Sequence, residues 1–147
     1  MKRLRYYADS SFLVSCYLLD VNTSVASKYL LALKEPLPFT ALHEIEVRNA
    51  MILSVFRGII TADDVTKAWI QVQVDIRRGL LVRTALAWNT VFRRGTRLSS
   101  SFSAVIGTRS LDILHVAAAT SIRAKHILTF DTRQRTLAMR AGFRVGP

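Results

Sequence analysis

Residues 108–134 read TRSLDILHVAAATSIRAKHILTFDTRQ, and this stretch decides the expected fold. Its first half, 110–123, reads as an apolar helix with Asp112 in the first turn. A short strand over 126–130, HILTF, then delivers Asp131 at its end, and a further helix is expected over 132–141. Neither carboxylate suits a hydrophobic core. Two other acids stand in comparable places. Asp9 ends a strand-like run, LRYYA at 4–8, and Glu46 lies inside a helical pattern. Four acids, each at the start, end or inner face of an apolar element, point to one acidic pocket.

That pocket is an anomaly in this chain. The 147 residues include 21 Lys and Arg against 10 Asp and Glu, a formal net charge of +11, and Arg outnumbers Lys. Guanidinium groups offer a planar fork of donors that suits phosphate, so the surface charge points to nucleic acid, with an acidic protein partner as the alternative. Half of the residues are hydrophobic, which fits one globular domain over 1–147 rather than a disordered chain. No apolar run approaches a membrane span, so no membrane association is expected. The basic start, MKRLRYY, is followed by an apolar stretch broken by Asp9 and ended by Asp20, which argues against a signal peptide. Cys16 is the only cysteine, which excludes an internal disulfide and a cysteine zinc site and fits a reducing cytoplasm.

Working outward from the deciding stretch, Ser10 and Ser11 offer N-cap hydroxyls for a helix carrying Phe12, Leu13, Cys16 and Leu19. A second helix starts at Asn22–Ser24, and Pro36 and Pro38 bracket a turn into a very short strand at Phe39. From Thr40 to Arg57 the pattern is helical, with Leu42, Ile45, Asn49, Ile52 and Phe56 as one face and Gly58 as a stop. TADD at 61–64 is a capping signature for a helix carrying Val65, Ala68, Trp69, Val72 and Ile76. LLVR at 80–83 is a strand candidate. Residues 85–106 predict one helix, or two broken near Gly95, and FRV at 143–145 a last edge strand. Short strands alternating with helices predict an α/β fold, a mostly parallel central sheet flanked by helices.

In such a sheet, sites form beyond the carboxyl ends of the strands, where Asp9 and Asp131 stand. Asp112 follows Ser110, the expected cap; a plain reading gives it a dipole-complementing role worth about 0.3–1 kcal/mol. Asp131 has its own plain reading as a turn or cap residue. Glu44 and Glu46 are two positions apart, about 200° around a helix, so only one faces the pocket. Glu46, sharing a side with Asn49, Ala50 and Leu53, is the inward one. Asp63 and Asp64 are assigned to capping, Asp20 and Asp75 to solvated surface.

Converging carboxylates repel by about 4 kcal/mol per pair at 4 Å and an effective dielectric near 20. Either some protonate, or a cation sits among them. All-oxygen ligands suit Mg²⁺ or Mn²⁺ rather than zinc, and such an ion supports attack of water on phosphate. His115, one turn from Asp112, reads as a packed or hydrogen-bonded helix histidine. His43 and His126 carry no partner pattern, and Cys16 reads as core. The serine run 99–101 reads as a turn or helix start. Arg93, Arg94 and Arg97, close to Trp88 and Phe92, are the candidate nucleic-acid contacts, RNA by the resemblance that follows.

Four segments taken together, YADSS at 7–11, EIEVRNA at 44–50, RSLDILHVAAA at 109–119 and LTFDTRQRTLA at 128–138, resemble PIN domains, in particular VapC-like toxin ribonucleases. The resemblance runs through nearly the whole chain in order. It implies an endoribonuclease using Mg²⁺ or Mn²⁺, the toxin of a type II toxin–antitoxin pair. It also implies a homodimer and a VapB-like antitoxin whose tail covers the site. By that resemblance Asp9, Glu46, Asp112 and Asp131 are both the catalytic and the metal-holding acids, with Ser10 in support. Where many relatives carry a further acid near the last one, Thr129, Arg133 and Gln134 stand here. The alternative from another class is a PIN-like module that binds RNA without cutting it. A phospho-acceptor domain also uses strand-end aspartates, but it places a Lys late in the sheet, and no Lys stands at the end of a late strand here.

Overall fold

The computed structural model describes residues 4–147; the basic start at 1–3 lies outside the described residues. Strand β1, Tyr6–Ala8, leads into α1, Ser10–Tyr17, and α2, Thr23–Ala32. Next come β2, Leu37–Phe39, then the long helices α3, Ala41–Phe56, and α4, Ala62–Arg77, and β3, Leu81–Arg83. Helix α5, Trp88–Leu98, runs through a π-helical segment, Ser99–Ser103, into the short α6, Ala104–Ile106. Then follow α7, Ser110–Ser121, β4, His126–Leu128, α8, Thr132–Arg140, and β5, Arg144–Gly146.

All strand pairs among the described residues are parallel. β4 lies between β1 and β5, and β2 pairs with β3 as a second ribbon against β1. The register sets Ala8 beside Leu128 and Leu128 beside Gly146. Alternate residues of a strand face opposite sides. Tyr7 and Ile127 accordingly enter one core, with Val91 of α5, Val116 of α7 and Leu137 of α8. Ala8 and Leu128 enter the other, with Phe12, Val47, Met51 and Val72 from α1, α3 and α4. Strands buried on both faces require helices on both faces, and the α/β expectation is met.

Several local expectations are corrected. Gly95 does not break a helix. It is buried within α5, where an added Cβ would come within 3.3 Å of Ile113 Cγ2. Its bare backbone lets α5 lie close on α7. The predicted apolar face of α3 is largely wrong: Ile45 and Phe56 are 68% and 87% exposed and Ile52 is exposed too, while Leu42, His43, Val47 and Met51 are buried. α3 is apolar on more than one side, so periodicity alone does not choose the inward one. Asp75 is no surface residue. It is buried on α4, accepting from the Tyr17 hydroxyl (2.7 Å) and Gln71 Nε2 (2.9 Å). The Thr61 cap is as expected, with Asp64 Oδ2 accepting the Thr61 N–H at 2.8 Å in return.

Candidate active site

Asp9 directly follows β1, and its N–H still donates to Leu128 O at 2.9 Å, which pins it to the sheet. It, rather than Ser10 or Ser11, caps α1: Oδ1 accepts the Phe12 N–H at 3.0 Å and the Ser11 hydroxyl at 2.7 Å. Oδ2 accepts the Thr129 hydroxyl. Burial raises the Asp9 pKa above its ordinary value, against the pull of His115 and these donors. The same Thr129 oxygen accepts the Asp131 N–H at 3.0 Å, so one hydroxyl ties two of the acids together.

Asp131 caps α8, with Oδ1 accepting the Gln134 N–H at 2.8 Å, which leaves Oδ2 to face the cleft. Capping role and site role are therefore served by different oxygens. Asp112 is buried in the first turn of α7. Ser110 is not its cap: Ser110 is the first helical residue, and Asp112 Oδ2 reaches back to the Arg109 N–H at 3.0 Å.

Glu46 comes from α3. Ser10 donates to its Oε2 at 2.6 Å, and His115 Nε2 makes a short hydrogen bond to the same oxygen. The other ring nitrogen of His115, Nδ1, is hydrogen-bonded with the Tyr7 hydroxyl at 2.8 Å. Burial pushes the Glu46 pKa up, but the bonds and charge from His115 and the Ser10 hydroxyl outweigh it and hold the group below its ordinary value. Glu44 turns outward to Arg83 at 2.9 Å, as the helical rotation predicted.

The four acids, with Ser10, His115 and Arg109, line one cleft of about 240 Å³. A wider groove of about 670 Å³ continues from it along Asn49, Ala50 and Leu53 of α3. Arg109 and His43 escaped the sequence, whereas His115, read as packed or hydrogen-bonded, is hydrogen-bonded. Arg109 spans Asp112 and Asp131: Nε lies 3.3 Å from Asp112 Oδ2, and Nη2 lies 3.4 Å from Asp112 Oδ1 and 3.0 Å from Asp131 Oδ2. The acids raise its pKa further. His115 is more than a packing residue, since it orients Glu46. His43, fully buried, donates from Nε2 to Ala8 O at 2.7 Å and accepts the Thr40 N–H at Nδ1 at 3.0 Å, which straps α3 to the end of β1.

The arginines of α5 do not line the cleft. Arg93 and Arg97 are exposed, and Arg94 Nη1 donates to Ser121 Oγ at 3.0 Å. Ser121 ends α7 nine residues beyond Asp112, about 13 Å along the axis at 1.5 Å per residue.

The donors fit a hard divalent cation. One cationic nitrogen, Arg109 Nη2, touches both Asp112 and Asp131, which marks a point from which a cation reaches both. Among the described residues, no three His, Cys, Asp or Glu side chains form a ready-made cage. Mg²⁺ does not require one; it keeps several waters and takes one or two carboxylates.

No protein-family model matches the sequence, and neither does any curated protein. Solved structures do match. VapC20 of Mycobacterium tuberculosis, described as a sarcin–ricin loop cleaving toxin, aligns with a TM-score of 0.67 and 14% identity, over 94% of this chain and 95% of that one. FitAcB of Neisseria gonorrhoeae aligns with a TM-score of 0.62 and 12% identity, over 97% and 96%. VapBC2 of Rickettsia felis, solved on a DNA fragment from its promoter, gives 0.62 and 10% over 97% and 98%. The chain has the PIN-domain, VapC-like fold. No helix among the described residues is long and apolar enough to cross a membrane.

Proposed function

We propose that this chain is a divalent-metal-dependent endoribonuclease, the toxin of a type II toxin–antitoxin pair. The observation that carries the reading is the convergence of Asp9, Glu46, Asp112 and Asp131 on one cleft beyond the carboxyl ends of parallel strands. The likeness to toxin structures supports it. Asp112 and Asp131 would hold Mg²⁺ or Mn²⁺, with Asp9 and Glu46 completing the acidic floor. When bound, the ion would supply Lewis acidity toward the phosphate and a water of lowered pKa.

The remaining work falls to the chain itself. Ser10 and His115 fix Glu46 Oε2, so this carboxylate presents a defined oxygen to the cleft. Thr129 holds Asp9 and Asp131 in register. The net positive surface retains an RNA strand that the acids alone would repel. The groove along α3 gives room for that strand, or for the tail of a VapB-like antitoxin, as the VapBC and FitAcB likenesses suggest. The outward apolar side of α3, with Ile45, Ile52 and Phe56, suits a homodimer contact. A cytoplasmic setting belongs to the same proposal.

The test is cleavage of total RNA by the purified chain with Mg²⁺ or Mn²⁺ against EDTA, with Asp112→Asn in parallel. Metal-dependent fragments lost in the variant are expected. A folded chain that binds RNA and leaves it intact under every condition would replace this reading by an RNA-binding module.

A further inference from the structure

We infer that Arg109 is the resident counter-ion of the cleft, and that a divalent cation reaches Asp112 and Asp131 only by displacing its guanidinium. Arg109 then sets the affinity of the site for metal. The inference rests on the proposed reading of Asp112 and Asp131 as metal-holding residues.

Four converging carboxylates call for a compensating cation, and the structure supplies one from within the chain. Asp9 and Glu46 are satisfied by hydroxyls, a backbone N–H and His115. Asp112 and Asp131 instead share Arg109, the one Lys or Arg among the residues lining the cleft. Its Nη2 sits within 3.4 Å of an oxygen of each, the point from which a metal would bridge them. Two cations do not occupy one point, so loading the ion requires exchange.

The surroundings permit that exchange. The Arg109 side chain is 60% exposed, while those of Asp112 and Asp131 are 9% and 30% exposed. The guanidinium therefore lies over its partners from the solvent side. Among the described residues, its hydrogen bonds go to these two carboxylates alone. A swing about the Arg109 side chain clears the pair without moving the backbone, because the capping bond to Asp112 is made by the Arg109 main-chain N–H.

Calorimetric titration of Mn²⁺ into the metal-free protein tests this directly, with no reliance on cleavage. Arg109→Gln should bind Mn²⁺ about tenfold tighter or more, since a unit charge at contact distance is removed. Arg109→Lys keeps the charge without the fork and should fall between Arg109→Gln and wild type. Arg133→Gln removes an equal charge from a side chain that donates to Gly107 O, and should leave the affinity nearly unchanged. Equal Mn²⁺ affinity in wild type and Arg109→Gln, with binding lost in Asp112→Asn, would overturn the exchange and leave the metal site standing. Equal tightening by Arg133→Gln would reduce the effect to net charge and also overturn it. No Mn²⁺ binding by any of the proteins would remove the metal site itself, and the inference with it. Circular dichroism of each variant establishes that it is folded before titration.

Discussion

Acid should unfasten this protein at His43, and the size of the effect follows from its surroundings. Both ring nitrogens are committed in the neutral form: Nε2–H donates to Ala8 O, and Nδ1 accepts the Thr40 N–H. Protonation would set a second N–H against the Thr40 donor in a fully buried place. Burial is the largest cause that lowers the pKa from 6.5 to about 3. Because the folded pKa lies below the unfolded one, the contribution is intact above about pH 6.5. It is lost as pH falls from there toward about pH 3, by about 1.4 kcal/mol per unit. At pH 5, some 1.5 units into that window, the fold should be weakened by about 2 kcal/mol. His126, also lowered by burial, adds in the same direction. Asp9 acts oppositely: its raised pKa gives stability that is present in acid and lost as pH rises through the folded value. The assay is therefore a comparison. Urea unfolding of wild type and His43→Gln is followed at about pH 7 and pH 5 in EDTA. Wild type should lose about 2 kcal/mol more than the variant over that interval. Equal losses would refute the argument and mean that His43 is not held neutral by its burial.

Other expectations follow from single side chains. Tyr17→Phe removes the hydroxyl donated to buried Asp75 and should cost about 1.5–3 kcal/mol in urea unfolding; a loss below about 0.5 kcal/mol would mean that Gln71 alone suffices. Gly95→Leu should destabilise by roughly 1–3 kcal/mol by prying α5 from α7. Gly95→Ala should stay within about 1 kcal/mol of wild type, because better helix propensity offsets the squeeze on Ile113; thermal unfolding ranks the two, and the reverse order would contradict the close approach. Replacing Arg93, Arg94 and Arg97 with Ala should flatten the salt dependence of RNA binding by about 0.7 for each phosphate these side chains neutralise. An unchanged slope would assign these residues to solvent or to a protein partner.

What the sequence made legible was local. Asp112 stands out because it opens an apolar run and Asp131 because it falls between a short strand and a helix, and those signals do not depend on the rest of the fold. Glu46 could be separated from Glu44 because helical rotation is fixed by backbone geometry, and Glu46 does share its groove with Asn49, Ala50 and Leu53. The inward side of α3 was misread because Ile45, Ile52 and Phe56 mark an apolar stripe as strong as the buried one. His43, Asp75 and Arg109 take their meaning from partners that hydropathy patterning does not reveal. Ala8 lies 35 positions from His43, Tyr17 lies 58 from Asp75, and Asp131 lies 22 from Arg109. Arg109 was further hidden by abundance, one arginine among many in a basic chain. The capping position of Asp131 does not withdraw it from the cleft, because Oδ1 caps α8 while Oδ2 meets Arg109.

The pairing of β1 with β4 has a consequence for how such a chain can diverge. Ala8 lies beside Leu128, so Asp9 and Thr129 leave the sheet side by side, with Asp131 two residues further on. Adjacent strands lie about 4.8 Å apart whatever side chains they carry. The spacing of Asp9 and Thr129 is thus set by the peptide backbone, and the Thr129 hydroxyl carries it on to Asp131. A chain can then share as little as 14% of its residues with VapC20 and still superpose over 94% of its length. Likeness of this kind is carried by hydrogen-bonded main chain rather than by overall identity.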